Sequence, residues 1–590
     1  MGAKDVNGLP VGGTAQIMQG KASGVAVTQV TGAPGDGVSV IIRGQSSFGN
    51  SAPLYVIDGI PTSDGINEIA PDDVESISVL KDAASASIYG ARAANGVVLI
   101  TTKKGSTGKP RLSFNGYTGA QTPAHLIPMA NATQYFNAYN TAAANDFVAG
   151  GAGNRTPLSL GMLDTLPNVN WEKQVLKSAP IYNAQLSIGG GSENTRYIVS
   201  ADYFNQRGMI LNSSYDRVNL HTAITSTLNK MFRVGTNMNI AYSKTRQVGS
   251  SGDGYTAPGG ANPGASIVRY ALFRTPATPV KYSTGPYAGQ YVDLPLTVGG
   301  ANVFGDGLNP VALAANTDRN FYNYTPARRR FSRTHAHKEP HPQVGPRDEL
   351  HHYRLQTVLS HRGIERIQNS PNTLAQSNTN DFTYNWTNTG NYHLVTGKHD
   401  LTLLAGTEII YNNTRLMSAS NSGYPDQSST FQYLSNGTSL TPAIGGNQSN
   451  WALSSVFTRV SYQYDGRYLA TFNFRRDGSS RLDPTDQWGN FYSGSVGWRI
   501  DREKFLQNVK PISLLKLRGS LGQLRRPERT QQLRIRIPGG QQRLLCVRQY
   551  SRDHFHYLRQ RQSQSKMADL NDGRRGPGHW VCSTAHSTYQ

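Results

Sequence analysis

The sequence predicts an α+β domain over residues 1–105 followed by an antiparallel transmembrane β-barrel. Three observations carry this prediction. Between Gly37 and Gly105 short, unlike elements follow one another, with glycine wherever the backbone must turn sharply. After Gly105 the recurring pattern is apolar–polar alternation with period two, in runs of about nine to twelve residues, enough to cross a bilayer at the usual strand tilt. Runs of about 18 apolar residues, which a membrane-crossing helix needs, do not occur.

In the first domain, VSVIIRG (Val38 to Gly44) is a run of β-branched residues stopped by glycine and reads as a strand. PLYVIDGIP (Pro53 to Pro61) is a second apolar strand, closed by Asp58-Gly59 and a proline. Pro71, Asp72 and Asp73 fit one helical turn, with proline first and two acids at the positive end of the dipole. That role adequately explains the acidic pair. ESISVL (Glu75 to Leu80) alternates as a strand does, and DAASASIYGARAANG is small and alanine-rich enough for a compact helix. Asn95-Gly96 then turns the chain into VVLITTKK, another strand.

The later strands are clearest in two places. In KMFRVGTNMNIAYSKTR, Phe232, Val234, Thr236, Met238, Ile240 and Tyr242 share one face, while Arg233, Asn237, Asn239 and Ser243 share the other. In VFTRVSYQY and RYLATFNFR, Val456, Thr458, Val460, Tyr462 and Tyr464 face one way, followed by Tyr468, Ala470, Phe472 and Phe474. Arg459, Ser461, Gln463, Arg467, Thr471, Asn473 and Arg475 face the other. Asp465-Gly466 between them supplies the positive φ angles of a two-residue hairpin. LTLLAGTEIIY, RYIVSADYF, FYSGSVGWRI and LLKLRGSLGQ repeat the theme. Long polar stretches, Gly249 to Gly264 and Asn421 to Asn450, alternate with short turns, which is the loop asymmetry of a barrel. A strand wetted by lipid on one face and water on the other must close on itself to satisfy its edges.

Composition agrees. The chain has 61 glycines and 30 tyrosines, and tyrosine sits well at a membrane interface. A hydrophobic share of 37% and a mean hydropathy of −0.47 suit a barrel or a soluble β chain alike. Cys546 and Cys582 are the only cysteines, and both fall in an unusual tail, so neither disulfide nor thiolate–metal chemistry is expected elsewhere.

Two stretches of the first domain, IIRGQSSFGNSAPLYVIDGIP and PDDVESISVLKDAASASIYGARAANGVVLITTKKG, resemble the plug domain of TonB-dependent outer-membrane receptors. Within that group they resemble the SusC/RagA family of nutrient importers, over a long and ungapped stretch. The resemblance implies an α+β plug inside a barrel of about 22 strands, of which this chain holds roughly the first half. It divides the chain into a plug at 1–105, a partial barrel at 106–523 and a tail at 524–590. Gln19 to Val25 already resembles the plug's opening, so the signal, the TonB-contacting segment and a small β-sandwich are expected to be missing. Implied partners are the TonB–ExbB–ExbD energy-transducing complex, a lid-like SusD-type lipoprotein, outer-membrane lipid, and an oligosaccharide or peptide ligand. Residue roles carry over only onto the plug. Arg43 in IIRG and Arg92 in YGARAANG match arginines that the wider group uses in plug–barrel contacts. Both are expected to reach carboxylates on the barrel wall; the alternative is that each only positions plug backbone.

Two windows break the pattern. Ala327 to Arg366 holds 9 Lys+Arg, 4 acids and 6 of the 14 histidines. Leu524 to Gln590 holds 13 Lys+Arg, 12 of them Arg, with 4 acids and 4 histidines. Together they carry +14 of the net +21 in roughly a sixth of the chain. Nucleic-acid binding is not expected, because no recognisable module and no interleaved aromatics accompany the arginines. His335, His337, His341, His351 and His352 fit no standard metal-ligand spacing. A sudden Arg/His/Gln-rich vocabulary, with alternation returning near Phe382, instead fits translation in the wrong frame.

Enzyme chemistry finds no foothold. Gly189-Gly190-Gly191 reads as a turn between strands, since neither a helix pattern nor a lysine follows it. A G-x-S-x-G elbow and a metalloprotease helix are both lacking, and nothing calls for a cofactor. The competing reading is a non-transporting surface β protein, an adhesin or structural module, which would have no plug ahead of its strands.

Overall fold

The structure, a computed structural model, describes residues 1–2, 11–29, 32–44, 51–62, 66, 69–81, 86–148, 157–229, 232–248, 267–292, 297–298, 301–302, 309–334, 341–359, 373–425, 432–485, 487–506, 515–522, 532–536 and 542–546. In the amino-terminal module, β1 (Val25–Gln29) and β2 (Val38–Ile42) pair as an antiparallel ribbon. Four further strands, β3 (Leu54–Ile57), β4 (Ile60–Thr62), β5 (Val74–Leu80) and β6 (Val97–Thr102), form a mixed sheet in the order β4-β3-β6-β5. β3 and β6 run parallel, with Leu54 opposite Val97. The apolar faces close on Ile17, Met18, Val27, Val40, Ile77, Val98 and Ile100, so the β-branched runs seen in the sequence are the module's core. The Asp58-Gly59 turn adopts positive φ at both positions.

One local expectation changes. Among the described residues of the stretch expected to be one compact helix, Ser87–Ala93 is a 3-10 segment broken at Gly90, whose φ of 65° and ψ of −146° are not helical; residues 82–85 lie outside the described residues. At the break, Gly90 lies close against Asp477 and Arg475.

Thirteen strands form one antiparallel sheet. They are β7 (Gly108–Gln121), β8 (Ala179–Gly191), β9 (Thr195–Arg207), β10 (Ser214–Thr227) and β11 (Phe232–Gln247), then, past the two-residue pair β12 (Thr297–Val298) and β13 (Ala301–Asn302), β14 (Thr317–Thr334), β15 (His341–Leu359), β16 (Thr373–Thr396), β17 (His399–Ser422), β18 (Ala443–Tyr464), β19 (Tyr468–Ser479), β20 (Trp488–Arg499) and β21 (Lys516–Gly522). Each pairs with its neighbour along the chain within the sheet, an antiparallel meander. β7 and β21 stand at the two edges. This is rather more than half of the about 22 strands that the resemblance implies. A separate hairpin, β22 (Gln532–Arg536) with β23 (Gln542–Cys546), lies in the tail.

The alternation sorts as a barrel requires. On β18 and β19, Val456 and Phe472 are exposed on the outer face, whereas Ser455, Asn473 and Arg475 are buried on the inner one. Tyr464 and Tyr468 face each other across the Asp465-Gly466 turn, both of whose residues have positive φ. Strand length departs from expectation: β16 and β17 reach 24 residues each and β18 reaches 22. About nine to eleven residues cross a bilayer, so these strands project well beyond it and absorb part of the polar Asn421 to Asn450 stretch. Gly189, Gly190 and Gly191 end β8 and are not a separate turn. The stretch Gly249 to Gly264 lies outside the described residues. Between β7 and β8 and between β11 and β14, the long connections fold into helices, Trp171–Val175, Ile267–Phe273 and Pro310–Asn316 among them, around Trp171, Ile267 and Leu313. No described helix is long and apolar enough to cross a membrane.

The first anomalous window lies within the sheet. β14 continues to Thr334 and β15 crosses residues 341–359. In register, Arg328 lies opposite Met238 and Arg330 opposite Thr236, on the outward face, and both arginines are exposed. Arg329 points inward, where it donates to Asp58 O in the module.

Candidate functional site at the module–wall junction

The sheet wraps the module, and inward-facing polar side chains of many strands reach it. The most charged junction is built from Tyr89 to Arg92 on one side and β17 to β19 on the other. Arg92 Nη2 donates to Glu408 Oε2 at 3.0 Å. Arg475 Nη2 donates to the same oxygen at 2.6 Å and to Ser455 Oγ at 2.8 Å. Its Nε donates to Asp477 Oδ1 at 2.6 Å, and its Nη1 to Ile88 O, in the module, at 2.8 Å. Asn385 Nδ2 holds the other Glu408 oxygen at 3.3 Å. The Arg475 guanidinium also lies over the Phe457 ring, 5.3 Å from its centroid.

Two cations flanking one carboxylate, with a second carboxylate behind, nearly balance charge in a site that water hardly enters. The Glu408 and Arg475 side chains are 5% and 3% exposed. Burying such charges is tolerable only because each is paired and hydrogen-bonded. Gly90 makes the approach possible: a Cβ there would lie 2.0 Å from Asp477 Oδ2, and its φ of +65° already disfavours any L side chain.

A second junction lies on the opposite flank of the sheet, at β8 to β10. Asp73 is 2% exposed. Its Oδ1 accepts from Ser200 Oγ at 2.5 Å and from Gln185 Nε2 at 2.9 Å. His221 Nε2 lies 3.3 Å from Lys103 O. Arg217, fully buried, donates to Asp202 Oδ1 at 3.1 Å and to Gly12 O at 3.1 Å. Burial pushes the Asp73 carboxyl above its ordinary value, with Asp202 adding to the rise and His221, Ser200 and Lys103 opposing it. Elsewhere Asn237 donates to Asp58 Oδ2, and Gln247 Nε2 donates to Asp36 Oδ1 at 3.1 Å.

The structure thus sets Arg92 beside a wall carboxylate. Arg43 closes β2 with an exposed side chain and φ of 59°, its backbone N–H donating to Gly24 O at 3.0 Å. The two arginines are not brought together. Reading the sequence missed Glu408, Asp477 and the buried role of Asp73. A signal existed for the first two: Glu408 interrupts the apolar run LTLLAGTEIIY, and Asp477 lies two residues from Arg475 on the same inner face. Asp73 gave none, because an acid at a helix start is already satisfied there.

The TonB-dependent receptor plug domain model matches residues 1–97. TonB-dependent receptor P26 of Formosa agariphila is 31% identical over 539 residues, spanning 88% of this chain and 50% of that protein. TonB-dependent receptor SusC of Bacteroides thetaiotaomicron is 29% identical over 534 residues, spanning 85% of this chain and 49% of that protein. The RagAB peptide importer in its closed-closed state superposes with a TM-score of 0.75 at 25% identity, over 93% of this chain and 62% of that one. The chain therefore spans about half the length of the curated relatives it matches.

Proposed function

Because the chain belongs to the SusC/RagA family of TonB-dependent outer-membrane receptors, we propose that the full-length receptor imports a nutrient, an oligosaccharide or a peptide, through a barrel stoppered by the 1–105 module. The outer membrane has no ATP to move a plug, so the work comes from the TonB–ExbB–ExbD complex of the inner membrane. A SusD-like lipoprotein delivers the ligand from outside, and lipid covers the outward faces of strands such as β18 and β19. The observation that carries this reading is the buried Arg92–Glu408–Arg475 cluster. Charge at the junction of a plug and its wall holds the plug in place yet can be exchanged for water when the plug moves. Arg92 and Arg43 are proposed as the plug–barrel contacts, with Arg92 the stronger of the two.

Among the described residues β7 and β21 stand at the edges of the sheet, and lipid cannot satisfy the backbone groups of an open edge, so the 590-residue polypeptide by itself is proposed to be inactive. The windows 327–366 and 524–590 are proposed to be read out of frame. Arg328 and Arg330 on the lipid face support this: an arginine there costs about 2–4 kcal/mol at the bilayer midplane. Ligand accumulation by cells carrying the full-length receptor, with and without TonB, tests the import reading. Uptake that vanishes with TonB is expected; uptake that persists unchanged would reject it.

A further inference from the structure

We propose that Asp73 is a second, hinge-side anchor that positions the plug at the point where the chain crosses from plug to barrel, independently of the Arg92–Glu408 cluster; this rests on the plugged-importer reading. Four observations place it there. Asp73 O accepts from Lys103 N at 2.8 Å, so the residue ties the start of β5 to the end of β6. Its carboxylate is held from the wall by Ser200 of β9 and Gln185 of β8, the first strands after the crossing to pair with β7 or with each other. Lys103 O in turn lies against His221 of β10. Two residues on, Gly105 is pressed so closely to β9 that a Cβ would lie 2.3 Å from Tyr197 N.

The polarity is opposite at the two junctions. At the Arg92 cluster the plug offers a cation to a wall carboxylate; at the hinge the plug offers a carboxylate to wall donors. The hinge contacts also lie next to the covalent link, where the chain can move least. Loss of the Arg92 cluster therefore frees the Tyr89 to Arg92 side while the hinge holds, and the plug swings and does not leave.

Backbone amide exchange on the full-length receptor in detergent tests this, comparing Gln185→Ala with Ser200→Ala together, Glu408→Ala, and the parent. The double variant leaves the plug sequence intact, so plug folding is not at risk. It is expected to speed exchange about tenfold in residues 74–80 and 101–105 and to leave residues 88–93 unchanged. Glu408→Ala is expected to do the converse. Equal acceleration across the plug in both variants, or none near residue 74 in the double variant, would overturn the proposal. The readout needs no transport, so a receptor that imports nothing yet shows this pattern upholds the anchor while sinking the import reading.

Discussion

Arg92 of the plug and Glu408 of the wall meet at 3.0 Å across 316 positions of sequence. Arg475 shares the same carboxylate oxygen at 2.6 Å, and the asymmetry between the two arginines makes a graded prediction. Arg92→Ala leaves Glu408 paired with Arg475, so the loss is that of a charge-assisted hydrogen bond, about 1.5–3 kcal/mol. Glu408→Ala leaves Arg92 without its carboxylate and Arg475 with Asp477 alone, and breaking a buried pair costs about 3–5 kcal/mol. In cells carrying the full-length receptor, sensitivity to a large antibiotic that the outer membrane excludes should rank Glu408→Ala above Arg92→Ala above parent. The reverse ranking would contradict this.

Gly90→Ala should be worse than its size implies. A backbone with φ of 65° and ψ of −146° is one that essentially only glycine adopts and costs an alanine about 1–3 kcal/mol, and the added methyl collides with Asp477 and Arg475, the latter's Nε lying 2.6 Å from a Cβ. The expected outcome is a plug that folds but fails to dock. Protease cleavage between residues 86 and 105 of the assembled receptor measures it, and parent-like protection would refute the geometric argument.

Asp73 supplies the pH dependence. Its folded-state pKa is raised above the ordinary 3.8, chiefly by burial, so the ionised form is the one penalised on docking. Docked-plug stability is then greatest at low pH and falls as pH rises from the unfolded value through the raised folded one. His221, Lys103 and Asp202 lie around the same carboxyl. Asp73→Asn should flatten the dependence on the acid side while keeping an acceptor for Ser200 and Gln185. Melting temperature of the assembled receptor from pH 7 to pH 4 reads this, and an unchanged slope in Asp73→Asn would exclude Asp73 as its source.

The out-of-frame reading predicts a result from nucleic acid alone. Translated in the two other frames, the DNA for residues 327–366 and 524–590 should yield period-two strands with apolar residues where Arg328 and Arg330 now stand. Two frames without such strands would reject the reading.

Much of the fold was legible because its signals are local. β-branched runs, Asp-Gly and Asn-Gly turns and period-two alternation each act within a few residues, and β3, β6, β18 and β19 formed where those signals stood. The compact helix expected over DAASASIYGARAANG is broken at Gly90, whose non-helical backbone lies against Asp477 and Arg475, far along the chain. Strand length was underestimated because alternation in β16 and β17 continues in polar residues beyond the bilayer, where hydrophobicity no longer marks it. The site was half legible. Arg92 came from its resemblance to plug arginines, but its partner depends on how a wall strand three hundred residues away is registered.

Conductance across a planar bilayer tests the central claim most directly, comparing the full-length receptor with the same receptor lacking residues 1–105. If the module stoppers a wide cylinder, the intact receptor stays closed and the truncated one opens a large, steady pore. Equally low conductance from both, with the truncated receptor inserted in the membrane, would contradict it.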